Sequence, residues 1–554
     1  MIESCNFYDG WILKTQNSWY VISISESGLV YNLYWGPALN REEDVPMPRF
    51  ILPSSFDGEK GYLPLEYPEW GGYLFSVPCI KITYPDGNRK TLLKYKCFEV
   101  GKDAYGNEQL IITLIDGYYN IKVVLNYVIY EKFEIIERFV EVFNEGTDYV
   151  ILDIAHSASW NLPLNRDYRM TYCTGNWSRE FNIREIPINE GKFVIESRKG
   201  HTSHDFNPWF MMDLQANQAT ENFGEVWFGA LAYSGNWKIL AEKTPFGLTK
   251  VVGGINDFDS HFKLKPTKVF RNPSFYGGYT NKGFGQASRN LHSLQRKYII
   301  PYNFRKTLRK VLYNSWEATF FNVNEEDQIK LAEKAASIGV ELFVIDDGWF
   351  GARNNDRAGL GDWRVNPQKF PRGLTSLIDK VNSLGMDFGI WVEPEMVNED
   401  SELFRMHPDW VMRFPKCKPE KGRKQWNLNV AKPEVADYIF NAVDALLSNY
   451  NIKFVKWDMN KSITDPGWTE FEIDRKKEIW IRYVWNLYDI FDRLRNKHPD
   501  VMFETCSGGG GRVDLGILYR TDQFWTSDNT NPFDRLVIQE GCSYVYSAKS
   551  MVAW

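Results

Sequence analysis

The sequence predicts a multidomain α and β protein: an N-terminal antiparallel β sandwich over residues 1–304, followed by a TIM-type (β/α) barrel over residues 305–554. Three observations predict it. The chain has 554 residues, well past the ~250–300 at which a single hydrophobic core stops growing. Its first part is a succession of short β-rich runs divided by turn signals. Its second part alternates apolar strands ending in polar residues with amphipathic helical stretches.

The β-rich runs include WYVISIS, IKVVLNYVIY and KFEIIERFVEVF, set apart by turn tripeptides such as Asp86-Gly87-Asn88 and Glu145-Gly146-Thr147. The pattern changes around Pro301, between Lys297 and Arg305. Beyond it come VLYNSW (311–316), ELFVIDDGW (341–349), DFGIWVEPE (387–395), KFVKWD (453–458), VMFETCSGG (501–509) and QFWTSDN (523–529), with helices such as EDQIKLAEKAASIG (326–339) between them. These are about six strands, whereas a closed barrel of this type has eight. The expectation is therefore an incomplete barrel, truncated at its C-terminal side, whose open edge weakens the fold. Chemistry in such barrels sits at the C-terminal strand tips: here Trp316, Asp346-Asp347, Glu393 and Glu395, Asp458, Cys506-Ser507 and Asp528.

Composition narrows the function. A chain with 44% hydrophobic and 25% charged residues is an ordinary globular protein. A net charge of -6, with both signs interleaved, argues against a nucleic-acid partner. Aromatic residues at 16% suit the C–H faces of sugars, although most aromatic rings are core. The cysteines at 5, 79, 97, 173, 417, 506 and 542 are odd in number and form no CxxC pair, so neither zinc nor a disulfide framework is expected. The N-terminus lacks a basic stretch before an apolar run, and no stretch of ~18 apolar residues occurs. A cytoplasmic protein without a membrane partner is expected.

Side chains alternate along a strand, so Lys456 and Asp458 share one side of KFVKWD while Trp457 points the other way. An ammonium beside a carboxylate keeps it ionised, as a nucleophile requires. An ion pair capping the strand is the competing reading. Asp528 has only neutral polar neighbours, the setting of a general acid, although Asp before Asn and Thr also commonly caps a helix. Asp346 and Asp347 are placed to hold two hydroxyls or a metal, and with no His or third acid at ligand spacing, sugar hydroxyls are preferred. Trp391 shares a strand side with Glu393 and is either a stacking ring or core. The glycines after Cys506 lack the spacing of a phosphate loop and indicate backbone passing close to a ligand. Cys506 as a nucleophile has no accompanying His or Asn motif. His201 and His204 lack a Cys/His cluster and are read as structural.

Taken together, CTGNWSRE (173–180), IESRKGHTSHDFNP (195–208), GGINDFDSHFKL (253–264), DDGWFGARNNDRAGLGDW (346–363), GIWVEPEMVNEDSELFRMHPDW (389–410), QWNLN (425–429), KWDMN (456–460) and CSGGGGRVDLGILYRTDQFWTSDNT (506–530) resemble glycoside hydrolase family 36, the bacterial α-galactosidases. The resemblance implies an N-terminal β-supersandwich, a central barrel, a small C-terminal β domain that is absent here, and a homotetramer for the complete protein. It implies a retaining hydrolase of terminal α-linked galactose, as in melibiose and raffinose, with no cofactor and no metal. Asp458 would be the nucleophile and Asp528 the acid/base, their carboxyls ~5–5.5 Å apart. Asp346 and Asp347 would hold hydroxyls at the far end of the ring, and Trp391 and Trp316 would shape the pocket. Arg423, Lys456 and Asn460 would contact the sugar, with Trp457 and Met459 beside them, and Cys506 and Gly509 would lie by the 2-hydroxyl. Asn531-Pro532 stands where the family usually has Asp-Ala, removing a charge near the acid/base. A transglycosylase, an α-N-acetylgalactosaminidase on the same scaffold and an inactive sugar-binding fragment are the alternatives.

Overall fold

The computed structural model describes residues 1–5, 7–46 and 54–553. The β-rich part is antiparallel, as predicted: a four-stranded meander, a six-stranded sheet and a ten-stranded sheet. The longest pairing joins Ile121–Tyr130 to Ile135–Asn144 over their whole length, the alternating Val123, Leu125 and Tyr127 pointing inward. Between the layers, Trp35 and Trp160 lie with ring centroids 5.1 Å apart, both buried. A buried ion pair crosses this core, with Arg138 Nη2 2.8 Å from Glu66. The hydroxyls of Tyr20 and Tyr127 each donate to Glu66 at 2.6 Å, satisfying lone pairs that would otherwise be stranded.

The second part is a seven-stranded, wholly parallel sheet: β1 (Leu312–Asn314), β2 (Leu342–Ile345), β3 (Asp387–Val392), β4 (Phe454–Trp457), β5 (Met502–Thr505), β6 (Gln523–Trp525) and β7 (Met551–Val552), paired in that order. The main helices are α1 (Glu325–Ser337), α2 (Thr375–Ser383), α3 (Pro433–Asn449), α4 (Ile479–Lys497) and α5 (Pro532–Ser543). The count of about six strands is thus corrected to seven. The seventh pairs through Phe524–Met551 and Trp525–Val552 alone, too short a run to carry a period-two signal. Among the described residues, no pairing closes β7 onto β1.

The parallel strands are shorter than their apolar runs because the polar tips leave the ladder: Asp346 and Asp458 each follow the last residue of a strand directly. The two parts share buried structure. Phe181 and Trp209 of the β-rich part belong to one apolar cluster with Leu515, Phe524 and Ile538 of the other. The Asn207 amide donates to the Val513 carbonyl at 2.6 Å, so the β-rich part is packed directly against the segment between β5 and β6.

Candidate active site

Register builds the site. Trp391, Lys456, Glu504 and Gln523 are successive cross-strand partners on β3 to β6 and so form one row. Two residues further along each strand, on the same side, come Glu393, Asp458, Cys506 and Trp525. Asp458 therefore stands between a glutamate and a cysteine, one layer above a lysine.

The Asp458 carboxylate is 5% exposed and held by donors on both oxygens. The Met459 and Gly508 N–H groups donate to Oδ1 at 2.8 and 3.3 Å, and the Asn460 amide and Trp391 indole donate to Oδ2 at 2.7 and 3.2 Å. Burial pushes this carboxyl up, but the Lys456 ammonium and Arg423 guanidinium, with hydrogen bonds from Asn460 and Cys506, hold it below the usual carboxylate range. The Lys456 ammonium itself donates to Asp346 Oδ2, at 2.9 Å, and acts on Asp458 through its charge.

Asp346 also accepts from the Asn314 amide at 2.7 Å, and Asp347 is gripped by Arg353 through two 2.8 Å bonds. Each of the adjacent acids therefore has its own cation. Arg423 and Lys424 both have positive φ, +48° and +61°. This strained turn carries the Arg423 guanidinium over the Trp316 ring at 5.7 Å, in the field of Glu393, Asp458, Asp347 and Asp346.

Asp528 is exposed and hydrogen-bonded by two neutral indoles, Trp525 Nε1 to Oδ1 and Trp177 Nε1 to Oδ2, both at 2.9 Å. It does not cap the next helix: Asn531 does, accepting from the N–H groups of Phe533 and Asp534, with Pro532 in the first turn. The charge lost at Asn531 is partly replaced by Asp534, whose carboxylate accepts from the Asn529 amide at 2.8 Å. Between the two acids runs the glycine turn. Gly509 has φ +84°, and a Cβ there would lie 2.8 Å from the Asp528 nitrogen and 2.7 Å from Glu180 Oε1. Only glycine lets this backbone pass.

Two expected pocket residues are corrected. Trp457 is fully buried on the other side of β4, its ring 4.5 Å from Phe491 of α4 and its N–H donated to Glu395 at 2.8 Å. Met459 is also buried, its sulfur facing Arg512 at 3.7 Å. Adjacency to Asp458 in sequence places their side chains behind it, because neighbours on an extended chain point oppositely. Both touch the site only through backbone. Trp391, Trp316, Arg423, Lys456, Asn460, Asp346, Asp347, Cys506 and Gly509 converge on the same strand tips. Cys506 is buried, and burial, with the negative Asp458 beside it, pushes its thiol well up, so it is a neutral donor and no nucleophile.

Sequence reasoning placed Glu393 at a strand tip without giving it a role, and missed other contributors. Glu393 Oε1 accepts from the Gln425 amide at 2.7 Å and from the Asn460 N–H, tying β3 to the residue that holds Asp458. Trp177 and Glu180 come from the β-rich part, within a motif read above without a role. His204 Nε2 donates to the Gly508 carbonyl at 2.7 Å and His201 Nδ1 to that of Gly511 at 2.8 Å, consistent with their structural reading.

Glu504, fully buried, accepts from the Gln523 amide at 2.8 Å. Burial pushes its carboxyl up from 4.5 to about 7, with Lys456 and Gln523 opposing and Asp346 and Asp458 reinforcing the rise. Between these values the folded protein keeps a proton that the unfolded chain releases, so this contribution to stability is complete below pH 4.5 and is lost as pH rises through 7. Glu504→Gln cannot titrate and should flatten the fall in unfolding free energy across that window by something on the order of 1–3 kcal/mol. Urea midpoints at pH 5 and pH 7 measure this; an unchanged difference between them would contradict it.

A family model described as Melibiase matches residues 269–554, and one described as the Glycosyl hydrolase family 36 N-terminal domain matches residues 28–265. The chain is similar to α-galactosidase AgaA of Geobacillus stearothermophilus, with 37% identity over 98% of this chain and 77% of the relative. It is equally similar to α-galactosidase Mel36A of Lactobacillus acidophilus, with 37% identity over 96% of this chain and 76% of that one. Among solved structures, the GH36 α-galactosidase AgaB of G. stearothermophilus superposes with a TM-score of 0.96 at 37% identity, covering 100% of this chain and 79% of that chain. A variant of AgaA in complex with stachyose superposes with a TM-score of 0.95 at 36% identity, covering 98% and 78%.

Proposed function

The chain belongs to glycoside hydrolase family 36 and is an α-galactosidase, and on that footing we propose that it works by retaining double displacement, with Asp458 as nucleophile and Asp528 as acid/base. The observation that carries this is the contrast between two carboxyls flanking one glycine turn. Gly508 donates to Asp458 while Gly509 lies against Asp528. One acid is held ionised by cations; the other, among the described residues, accepts side-chain hydrogen bonds from two neutral indoles. In the first step an Asp458 oxygen bonds to the anomeric carbon as the C–O bond to the leaving group breaks, and the Asp528 proton passes to the departing oxygen. In the second step Asp528 takes a proton from water, whose oxygen displaces Asp458 and returns the α anomer. A separation of ~5–5.5 Å between the carboxyls suits this course.

Asp346, Asp347, Arg423 and Lys456 are proposed to bind the galactose hydroxyls, with Trp316 and Trp391 shaping the pocket and Cys506, Asn460 and Gly509 by the 2-hydroxyl. Melibiose and raffinose are the proposed substrates, in keeping with the stachyose and raffinose complexes of the AgaA variants. We place the domain division at 304/305, after the turn Tyr302–Phe304. All seven cysteines are free thiols, which supports a cytoplasmic setting, and among the described residues no helix is long and apolar enough to cross a membrane. The exposed Phe533, Leu536 and Val537 on α5 support a homo-oligomer, proposed as a tetramer.

The test compares 4-nitrophenyl α-galactoside with its 2-acetamido analogue. Cys506 and the Gly508–Gly509 backbone leave the 2-position crowded, so the galactoside should be favoured in kcat/KM by about 10²-fold or more. Preference for the acetamido substrate would overturn the assignment in favour of an α-N-acetylgalactosaminidase, and transfer to sucrose outrunning hydrolysis would overturn it in favour of a transglycosylase.

A further inference from the structure

We infer that Trp177, from the β-rich part of the chain, is a positioning residue that stabilises the charge Asp528 acquires when it protonates the leaving group; this rests on Asp528 being the acid/base. Trp177 sits in the turn between strands Tyr168–Thr174 and Asn182–Ile188. At 63% exposure it contributes little to a core, yet its ring N–H, a donor and never an acceptor, is aimed at Asp528 Oδ2 from 2.9 Å.

The turn is built to hold that aim. Ser178 and Phe181 have positive φ, +64° and +58°, in non-glycine residues, and such strain persists only where surrounding contacts fix it. Those contacts grip both chain neighbours of the acid. The buried Glu180 accepts from the Ser527 hydroxyl at 2.5 Å, and the Asn529 amide donates to the Ser178 carbonyl at 3.0 Å. Glu180 Oε1 in turn accepts from the Ser178 N–H at 3.3 Å, closing the loop on itself. The Trp177 ring also abuts the glycine turn, a Cβ on Gly508 falling 3.7 Å from its Cδ1.

The consequence is differential. Before the first step Asp528 carries a proton; as that proton moves to the glycosidic oxygen and the C–O bond breaks, the carboxyl becomes an anion. A hydrogen bond from the indole is stronger to the anion than to the acid, so it acts in the transition state more than in the ground state. Trp525 supplies the matching donor on Oδ1 from the strand itself. The effect should scale with how much the leaving group needs its proton: large for a sugar alcohol, small for nitrophenolate.

The test measures kcat/KM of the full chain and its Trp177→Phe variant on melibiose and on 4-nitrophenyl α-galactoside, alongside Asp528→Ala on the same pair. The variant keeps an aromatic ring at an exposed position while losing the N–H donor and the five-membered ring that carries it. Its loss on melibiose should exceed its loss on the aryl substrate by about ten-fold or more. Equal losses on the two substrates, or none, would overturn the role of Trp177. If Asp528→Ala itself lacks the leaving-group dependence, the acid/base reading is what has failed; if Asp528→Ala shows it and Trp177→Phe does not, only the positioning role falls.

Discussion

Replacing Asp458 by Ala should lower kcat by about 10⁴-fold or more, because the route through a covalent intermediate disappears with its only nucleophile. The fold should survive. Removing Asp458 relieves a buried charge, while its cations retain partners: Lys456 still has Asp346, and Arg423 still has Glu393 and Asp347 nearby. Melting temperature and circular dichroism check the folding, and initial rates on 4-nitrophenyl α-galactoside check the activity. Added azide should restore part of the rate and yield the β-galactosyl azide, since the small anion then attacks the sugar directly in the space the carboxylate vacated. Activity that persists in Asp458→Ala without azide would refute the assignment.

Asp528→Ala should behave differently in a way that identifies its role. General acid help is commonly worth 10²–10⁴-fold, so turnover of melibiose should fall by about 10³-fold while the first step on an activated aryl galactoside is affected far less. Azide should here yield the α-galactosyl azide, because it intercepts the galactosyl-Asp458 ester from the opposite face. The β product from this variant, or equal losses on both substrates, would contradict the assignment.

The residues that could be read from the sequence are those whose role follows from one strand. Lys456 and Asp458 share a side of β4 by simple alternation, and the polar tips of the parallel strands marked the catalytic end of the sheet. Alternation also explains the two errors. Trp457 and Met459 flank Asp458 in sequence, and for that very reason their side chains face α4 and Arg512 rather than the side of β4 that Asp458 occupies. Contacts across the fold were not legible. The bond from Lys456 to Asp346 joins residues 110 apart in sequence, and that from Trp177 to Asp528 spans 351. No local period encodes either; each exists because β2 and β4 flank β3, and because the β-rich part docks on the segment after β5. The seventh strand, Met551–Val552, escaped notice for the opposite reason, being too short for any pattern.

Glu393 and Glu504 extend the same lesson. Both stand on strands that sequence reading had located, and burial pushes each up to about 7, Asp458 adding to the rise in both. Neighbouring carboxyls that are pushed up while Asp458 is held down leave Asp458 the most readily ionised of the three. That division of charge depends on which side chains share a lumen layer, a property of sheet register rather than of composition.

Trapping the covalent intermediate tests the central claim most directly. Incubation with a slowly turned-over fluorinated α-galactosyl fluoride, followed by proteolysis and mass mapping, should find one galactosyl adduct, on the carboxylate of Asp458, and the wild-type enzyme should release α-galactose as its first product. An adduct on Asp528 or Glu393, or β-galactose released first, would contradict the account.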